Sequence, residues 1–120
     1  MLEIIKVVLL VFSLSSAPVD VGWGSHYANT VMQSPVEYHG YEYGDGRYIA
    51  VSDCSLIGDY VLIRQPGNDW ELHQVADCAG ADGTPQWMAE NNIILELSYE
   101  TARRWGVVGG GFAVECLGCR

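Results

Sequence analysis

Side chains alternate in character over residues 72–77. His73, Val75 and Asp77 fall on one face and Leu72, Gln74 and Ala76 on the other, the period of two expected of a β-strand. Residues 93–97 are apolar and largely β-branched except for Glu96, which shares a face with Ile94, a pattern that suits a mostly buried strand carrying one acid. Ser98 then supplies a helix N-cap, with Glu100 in the first turn where the macrodipole favours negative charge. Arg103 and Arg104 fall in the last turn, and Gly106 is placed to close the helix in the left-handed conformation. The stretch 72–106 therefore predicts strand, acidic turn, loop, strand and short helix. Its two carboxylates, Asp77 and Glu96, stand where a strand ends or gives way to a helix.

These pieces carry a resemblance. VADCAG (75–80), ILELS (94–98) and TARRWG (101–106) resemble a strand ending in Asp, a Gly-containing loop, "(I/V)-(I/L)-D-L-S" and "xxAxxxxG" of the rare lipoprotein A, barwin and expansin superfamily. YIAVSDCSLIGDYVLI (48–63) is similar to that family's first central strand, its Gly turn and the next strand. GWGSHY (22–27) is similar to its opening "GxASxY", and GGGFAVEC (109–116) to its closing strand. The motifs follow one another in the family's order over most of the chain. The resemblance implies a mainly β fold, a six-stranded double-psi β-barrel with one or two short helices; residues 31–46 are expected to be ordered but irregular.

It also implies chemistry. Lytic transglycosylases and some cellulases of this superfamily use an Asp in the barrel groove as proton donor, whereas expansin-like members bind and loosen wall polysaccharide without measurable hydrolysis. Asp77 matches the Asp before the loop and Glu96 the Asp of D-L-S; Glu96 is one methylene longer, and a misplacement of about 1 Å can cost roughly 10²-fold in a catalytic site. The family's His-bearing segment has no match, and Asp53 stands roughly where that His would be. The candidate catalytic set is Asp77, Glu96 and Asp53, with Asp77 the expected acid because it keeps the family's residue type. Three clustered acids would repel and raise at least one pKa; the alternative is that Asp77 satisfies backbone donors at a turn.

Length and charge narrow the partners. A chain of 120 residues is one domain able to bury a core, and 14 glycines with nearly half the residues hydrophobic fit a barrel with tight turns. Fifteen acidic against six basic residues give a net charge of −9, which argues against nucleic acid or an anionic membrane surface as a partner. Residues 4–14 are apolar apart from Lys6 and Ser13 and precede Ser15, Ser16 and Ala17, so residues 1–20 read as a secretory signal peptide or N-terminal anchor and 21–120 as the barrel domain. The apolar run is too short for a membrane-spanning helix, which needs about 20 residues. A strand or apolar helix of the mature protein is the alternative.

Four cysteines, Cys54, Cys78, Cys116 and Cys119, allow three pairings. Cys54 and Cys78 end two proposed central strands, which makes a bridge between them the favoured pair. A four-cysteine zinc site would want two close pairs, and only Cys116 and Cys119 form one; no metal is expected. Between residues 25 and 48 the chain interleaves aromatics with glycines. Tyr27, Tyr41, Tyr43 and Tyr48, with Trp87 further on, are candidates to stack on sugar rings, or equally to cover the barrel with their hydroxyls in water. The expected function is binding or remodelling of a cell-wall, peptidoglycan-type polysaccharide by a secreted monomer without cofactor or stable membrane insertion. Non-hydrolytic binding is slightly favoured over a lytic transglycosylase or glycosidase using Asp77, or a protein-interaction module.

Overall fold

The computed structural model of the protein describes residues 4–6, 8–10, 18–78 and 84–119. Most of the proposed cleavage region (11–17) and the loop at 79–83 lie outside the described residues. Six strands, β1 (Val19–His26), β2 (Tyr48–Val51), β3 (Tyr60–Arg64), β4 (Glu71–Cys78), β5 (Ile93–Leu97) and β6 (Phe112–Leu117), close into a barrel in the order β1-β5-β2-β4-β3-β6. Two pairs are parallel, β1·β5 and β2·β4, and the others antiparallel. Exchanging the first three strands for the last three returns the same ring of neighbours and maps one parallel pair onto the other, the two-fold logic of the expected double-psi barrel. Closure leaves no free sheet edge.

The interior is filled by inward-facing Ile49, Val51, Val61, Ile63, Val75, Leu95, Leu97 and Val114. A second, smaller cluster lies on the outside of the wall, where Met32 and Val36 bury Ala50 and Ala76 beneath Tyr27, Tyr41, Tyr43 and Tyr48. Met32 and Val36, four residues apart, occupy one face of α1 (Gln33–Tyr38) and the turn before it, so the segment expected to be irregular contains a helical turn. α2 (Thr84–Glu90), with Pro85 in its first turn and left-handed Asn92 just beyond its end, falls where the sequence predicts only a loop. With α3 (Tyr99–Trp105) the barrel domain carries three short helices, one more than expected. Helix α3 follows the sequence closely: Ser98 accepts from Thr101 N–H, and Gly106 takes φ +73° as C-cap.

Helix α3 is tied to the barrel through Glu71. This carboxylate accepts from Arg104 Nη1 at 2.9 Å and Trp105 Nε1 at 2.9 Å, contacts His73 Nε2 at 3.1 Å, and has Arg47 at 3.6 Å. The His73 hydrogen bond, reinforced by Arg104 and Trp105 against the opposing effect of burial, holds the Glu71 carboxyl down at about 2. Burial pushes the His73 imidazole below its ordinary value, so it is neutral and donates Nε2–H to Glu71. Among the described residues its Nδ1 is buried with no partner. Both expected and remaining cysteines are bridged: Cys54–Cys78 ties the turn that follows β2 to the end of β4, and Cys116–Cys119 closes the CLGC turn at the end of β6.

Candidate functional site

The register of four adjacent strands places one row of residues side by side. Ser25 on β1 faces Glu96 on β5, Glu96 faces Ala50 on β2, and Ala50 faces Asp77 on β4. Directly opposed residues share a face of the sheet, and Ala50 belongs to the outer cluster, so both acids project from the outside of the wall. Two strand spacings separate Glu96 from Asp77, about 10 Å between Cα atoms. Ala50, the residue between them, is buried beneath Met32 and Val36.

Strict alternation along β4 would turn Asp77 into the barrel beside Val75. The structure departs from that expectation through a bulge: Ile49 pairs with Val75 but Ala50 pairs with Asp77, so Ala76 is the extra residue. Bulges re-aim side chains in this way. His73 and Val75 stay buried inside, while Asp77 is half-buried on the outer face. A matching irregularity between Trp23 and Gly24 in the β1·β5 pair lies just before Glu96.

Tyr27 joins the acids. Its hydroxyl donates to Asp77 Oδ2 at 2.5 Å, and the other oxygen, Oδ1, accepts the backbone N–H of Cys78 at 2.9 Å. Burial, then the hydrogen bond to Asp77, pushes the Tyr27 phenol far above its ordinary value, so it remains a donor. Glu96 contributes to the same rise, which puts the phenol within the field of both carboxylates. Burial also raises the Glu96 carboxyl, and the charge of Asp77 adds to the effect. Ser25 Oγ opposes it, by more than the charge of Asp77 adds: the hydroxyl makes no hydrogen bond of good geometry, yet lies close enough to favour the charged form. Burial thus favours the protonated form of Glu96, and both oxygens of Asp77 act as acceptors.

Asp53 is not part of this row. Its Oδ1 caps the turn Cys54–Leu56, accepting from Ser55 N at 2.9 Å and Ser55 Oγ at 2.7 Å; those bonds lower its pKa, with no contribution from Asp77 or Glu96. The tyrosines do gather. Tyr41, Tyr48 and Tyr43 form a row of near-parallel rings with centroids 6.2 and 6.3 Å apart, Tyr48 OH donates to Glu42 O at 2.5 Å, and Tyr43 OH donates to Glu100. Centroid separations this large for parallel rings mean strongly slipped stacking, which leaves ring faces open. Trp87 stands apart, half-exposed on α2, outside the tyrosine cluster.

Tyr60, Arg47 and Gln74, which the sequence does not single out, join Tyr43 and Tyr48 around a concavity of about 220 Å³ under the 42–48 loop. A second one, of about 310 Å³, is lined by Val21, Ser52, Met88, Ile93, Ile94 and Cys119. Neither is lined by Asp77 or Glu96. The acids are placed by sheet register on the outer face of the wall, beside Ala50 buried under Met32 and Val36, and not by a pocket.

Among the described residues no group of three or more His, Cys, Asp or Glu side chains could hold a metal ion, and no helix is long and apolar enough to cross a membrane. Comparison of the chain with protein-family models, curated proteins and solved structures finds no match. The resemblance to the rare lipoprotein A group thus rests on motif order alone.

Proposed function

We propose that the protein binds a cell-wall-type polysaccharide outside the cytosol, on the outer barrel face bearing Glu96, Ala50 and Asp77. The observation that carries this reading is the row itself: two half-buried carboxyls stand on the outer face of the wall, either side of Ala50 buried under Met32 and Val36, next to slipped tyrosine rings. Sugar rings offer C–H faces to aromatics and hydroxyls to carboxylates, and both are present. Two disulfides suit an oxidising compartment, in keeping with an export segment at 1–20.

One observation favours a second reading, cleavage of the glycan. Burial and the charge of Asp77 raise Glu96 towards the protonated state while Asp77 remains an acceptor, which is the division of labour that glycosidic cleavage requires. In that reading Glu96 protonates the leaving oxygen and Asp77, held by Tyr27, is the base or nucleophile. Acid and base chemistry of this kind needs no cofactor.

The test is to incubate purified protein with insoluble peptidoglycan and, separately, cellulose, and to measure both pelleted protein and released sugars. Binding predicts pelleting with a wall polymer, weakened by Tyr27→Phe, which unpins Asp77. Cleavage predicts products that fall by about 10²-fold or more in Glu96→Gln while pelleting is retained. A wild-type protein that neither pellets nor releases product refutes both readings. Pelleting without product leaves binding and removes cleavage.

A further inference from the structure

His26 ends β1 immediately before Tyr27, and both of its ring nitrogens are engaged. Nδ1 lies 2.8 Å from the carbonyl of Tyr27, which can only accept, and Nε2 lies 2.9 Å from the backbone N–H of Gly109, which can only donate. One tautomer satisfies both contacts: a neutral imidazole with its proton on Nδ1 and a lone pair on Nε2. The second contact reaches across 83 residues to the loop between α3 and β6. That loop, residues 106–111, contains four glycines. Val107 N–H anchors its start to Ala102 O. Beyond that point, outside the sheet and among the described residues, the bond to His26 is the one hydrogen bond made by residues 108–111.

We propose that His26 is a proton-operated latch: neutral, it fastens the 106–111 loop beside the Glu96 end of the acid row, and protonated, it releases it. The reason is stereochemical. A proton on Nε2 would point a second donor at the Gly109 N–H, and the two cannot share the contact, so a loop with no other hydrogen bond over residues 108–111 must move away. The Nδ1 contact to Tyr27 survives, so β1 and the phenol that holds Asp77 keep their places. The site is near enough for the change to matter, because Ser25, next in the chain, faces Glu96, and His26 itself faces Leu97. The titratable groups around the imidazole are Glu96 on β5, Tyr99 packed edge-on at 6.1 Å from α3, and Tyr27 on its own strand, with Asp77 reached through Tyr27. A positive imidazole also favours the ionised form of Glu96, so a protonated His26 opposes the rise that burial gives that carboxyl.

This inference uses the glycan-binding reading for its consequence but not for its mechanism, and the experiment separates the two. The His26 ring and the Gly109 amide are followed by nuclear magnetic resonance while the pH is lowered, in the wild type, in Glu96→Gln to remove that neighbour's titration, and in His26→Gln. A glutamine carbonyl can accept from Gly109 but does not titrate. The Gly109 protection factor should fall at least about tenfold with the same midpoint as the imidazole in the first two proteins, and stay flat in His26→Gln. Matching melting temperatures at pH 8 check that the variants are folded. A Gly109 amide whose protection ignores the imidazole overturns the latch, as does the same pH dependence in His26→Gln. Peptidoglycan pelleting, measured in parallel, should track the latch in the wild type and not in His26→Gln. Pelleting that ignores an opening latch overturns its link to the site, whereas no pelleting at any pH refutes the glycan reading and leaves the amide result to decide the latch.

Discussion

Replacing Glu71 by Gln keeps the shape of the side chain and an oxygen that can accept from His73, Arg104 and Trp105, but removes the charge. In the folded protein the carboxyl is held at about 2 against an ordinary 4.5, chiefly by the His73 hydrogen bond and then by Arg104 and Trp105. Fully expressed, that difference is about 3 kcal/mol at 1.36 kcal/mol for each tenfold change in proton affinity. The side chain is 23% exposed, so solvent screening reduces the expected loss to about 1–2 kcal/mol. The sign follows from the direction of the shift. A depressed carboxyl stabilises the fold above its unfolded value and loses that contribution as the pH falls from about 4.5 towards 2. Urea unfolding at pH 7 should therefore show Glu71→Gln with a midpoint lower by about 1 M, and the gap should shrink by more than half at pH 2.5. Salt at 1 M should narrow it at pH 7 as well, because the Arg104 and Arg47 contacts are partly exposed. Equal midpoints at pH 7, or a gap that persists unchanged at pH 2.5, would refute the account of Glu71 as the charged tie between α3 and the barrel. In the wild type, stability should begin to fall already below pH 6.5, where buried neutral His73 must take up a proton to match the unfolded chain.

Two further outcomes are expected. Cys54→Ser with Cys78→Ser opens a loop of sequence separation 24 and should lower unfolding free energy by about 3 kcal/mol in calorimetry or urea titration; a loss below about 1 kcal/mol would mean that the bridge adds little constraint. Gly46→Ala should cost about 2–3 kcal/mol, because the residue has φ +74° and its new Cβ would lie 2.9 Å from Ser98 Oγ, whose hydroxyl donates to Gly46 O at 2.5 Å. A variant as stable as the wild type would show that the 42–48 loop can shift away from α3 freely.

Much of the barrel was legible because its strands obey local rules. Period-two alternation marked β4, β-branched residues marked β5 with the bounds observed, and the Ser98 cap with Gly106 bracketed α3 to the residue. The bridge between Cys54 and Cys78 followed from placing both at strand ends that lie together, although Cys54 belongs to the turn after β2. The helices at Gln33–Tyr38 and Thr84–Glu90 were harder to see because six or seven residues are too few for a periodic signal. What holds α1 is Met32 and Val36 packing on Ala50 and Ala76, a tertiary contact that no local pattern announces. The Pro85 and Asn92 boundary of α2 was in the sequence and is the signal that would have found it.

The site divides along the same line. Asp77 and Glu96 were recognisable as acids at strand ends, but their facing was not, because facing depends on a bulge and a bulge is a property of two strands. Read along β4 alone, Asp77 belongs with Val75 inside the barrel; read across to β2, the extra residue Ala76 brings it out beside Ala50. Asp53 illustrates the converse. Close in sequence to a proposed strand end and acidic, it looked like a third member, yet Ser55 two residues on takes its carboxylate for a turn, a local competition that short acids enter readily. The surroundings of the remaining pair differ in who donates to whom. Asp77 accepts from a phenol and a backbone N–H, whereas burial is the largest influence on Glu96 and raises its carboxyl, with Ser25 opposing it. The longer side chain at 96 therefore sits in the position that favours keeping a proton.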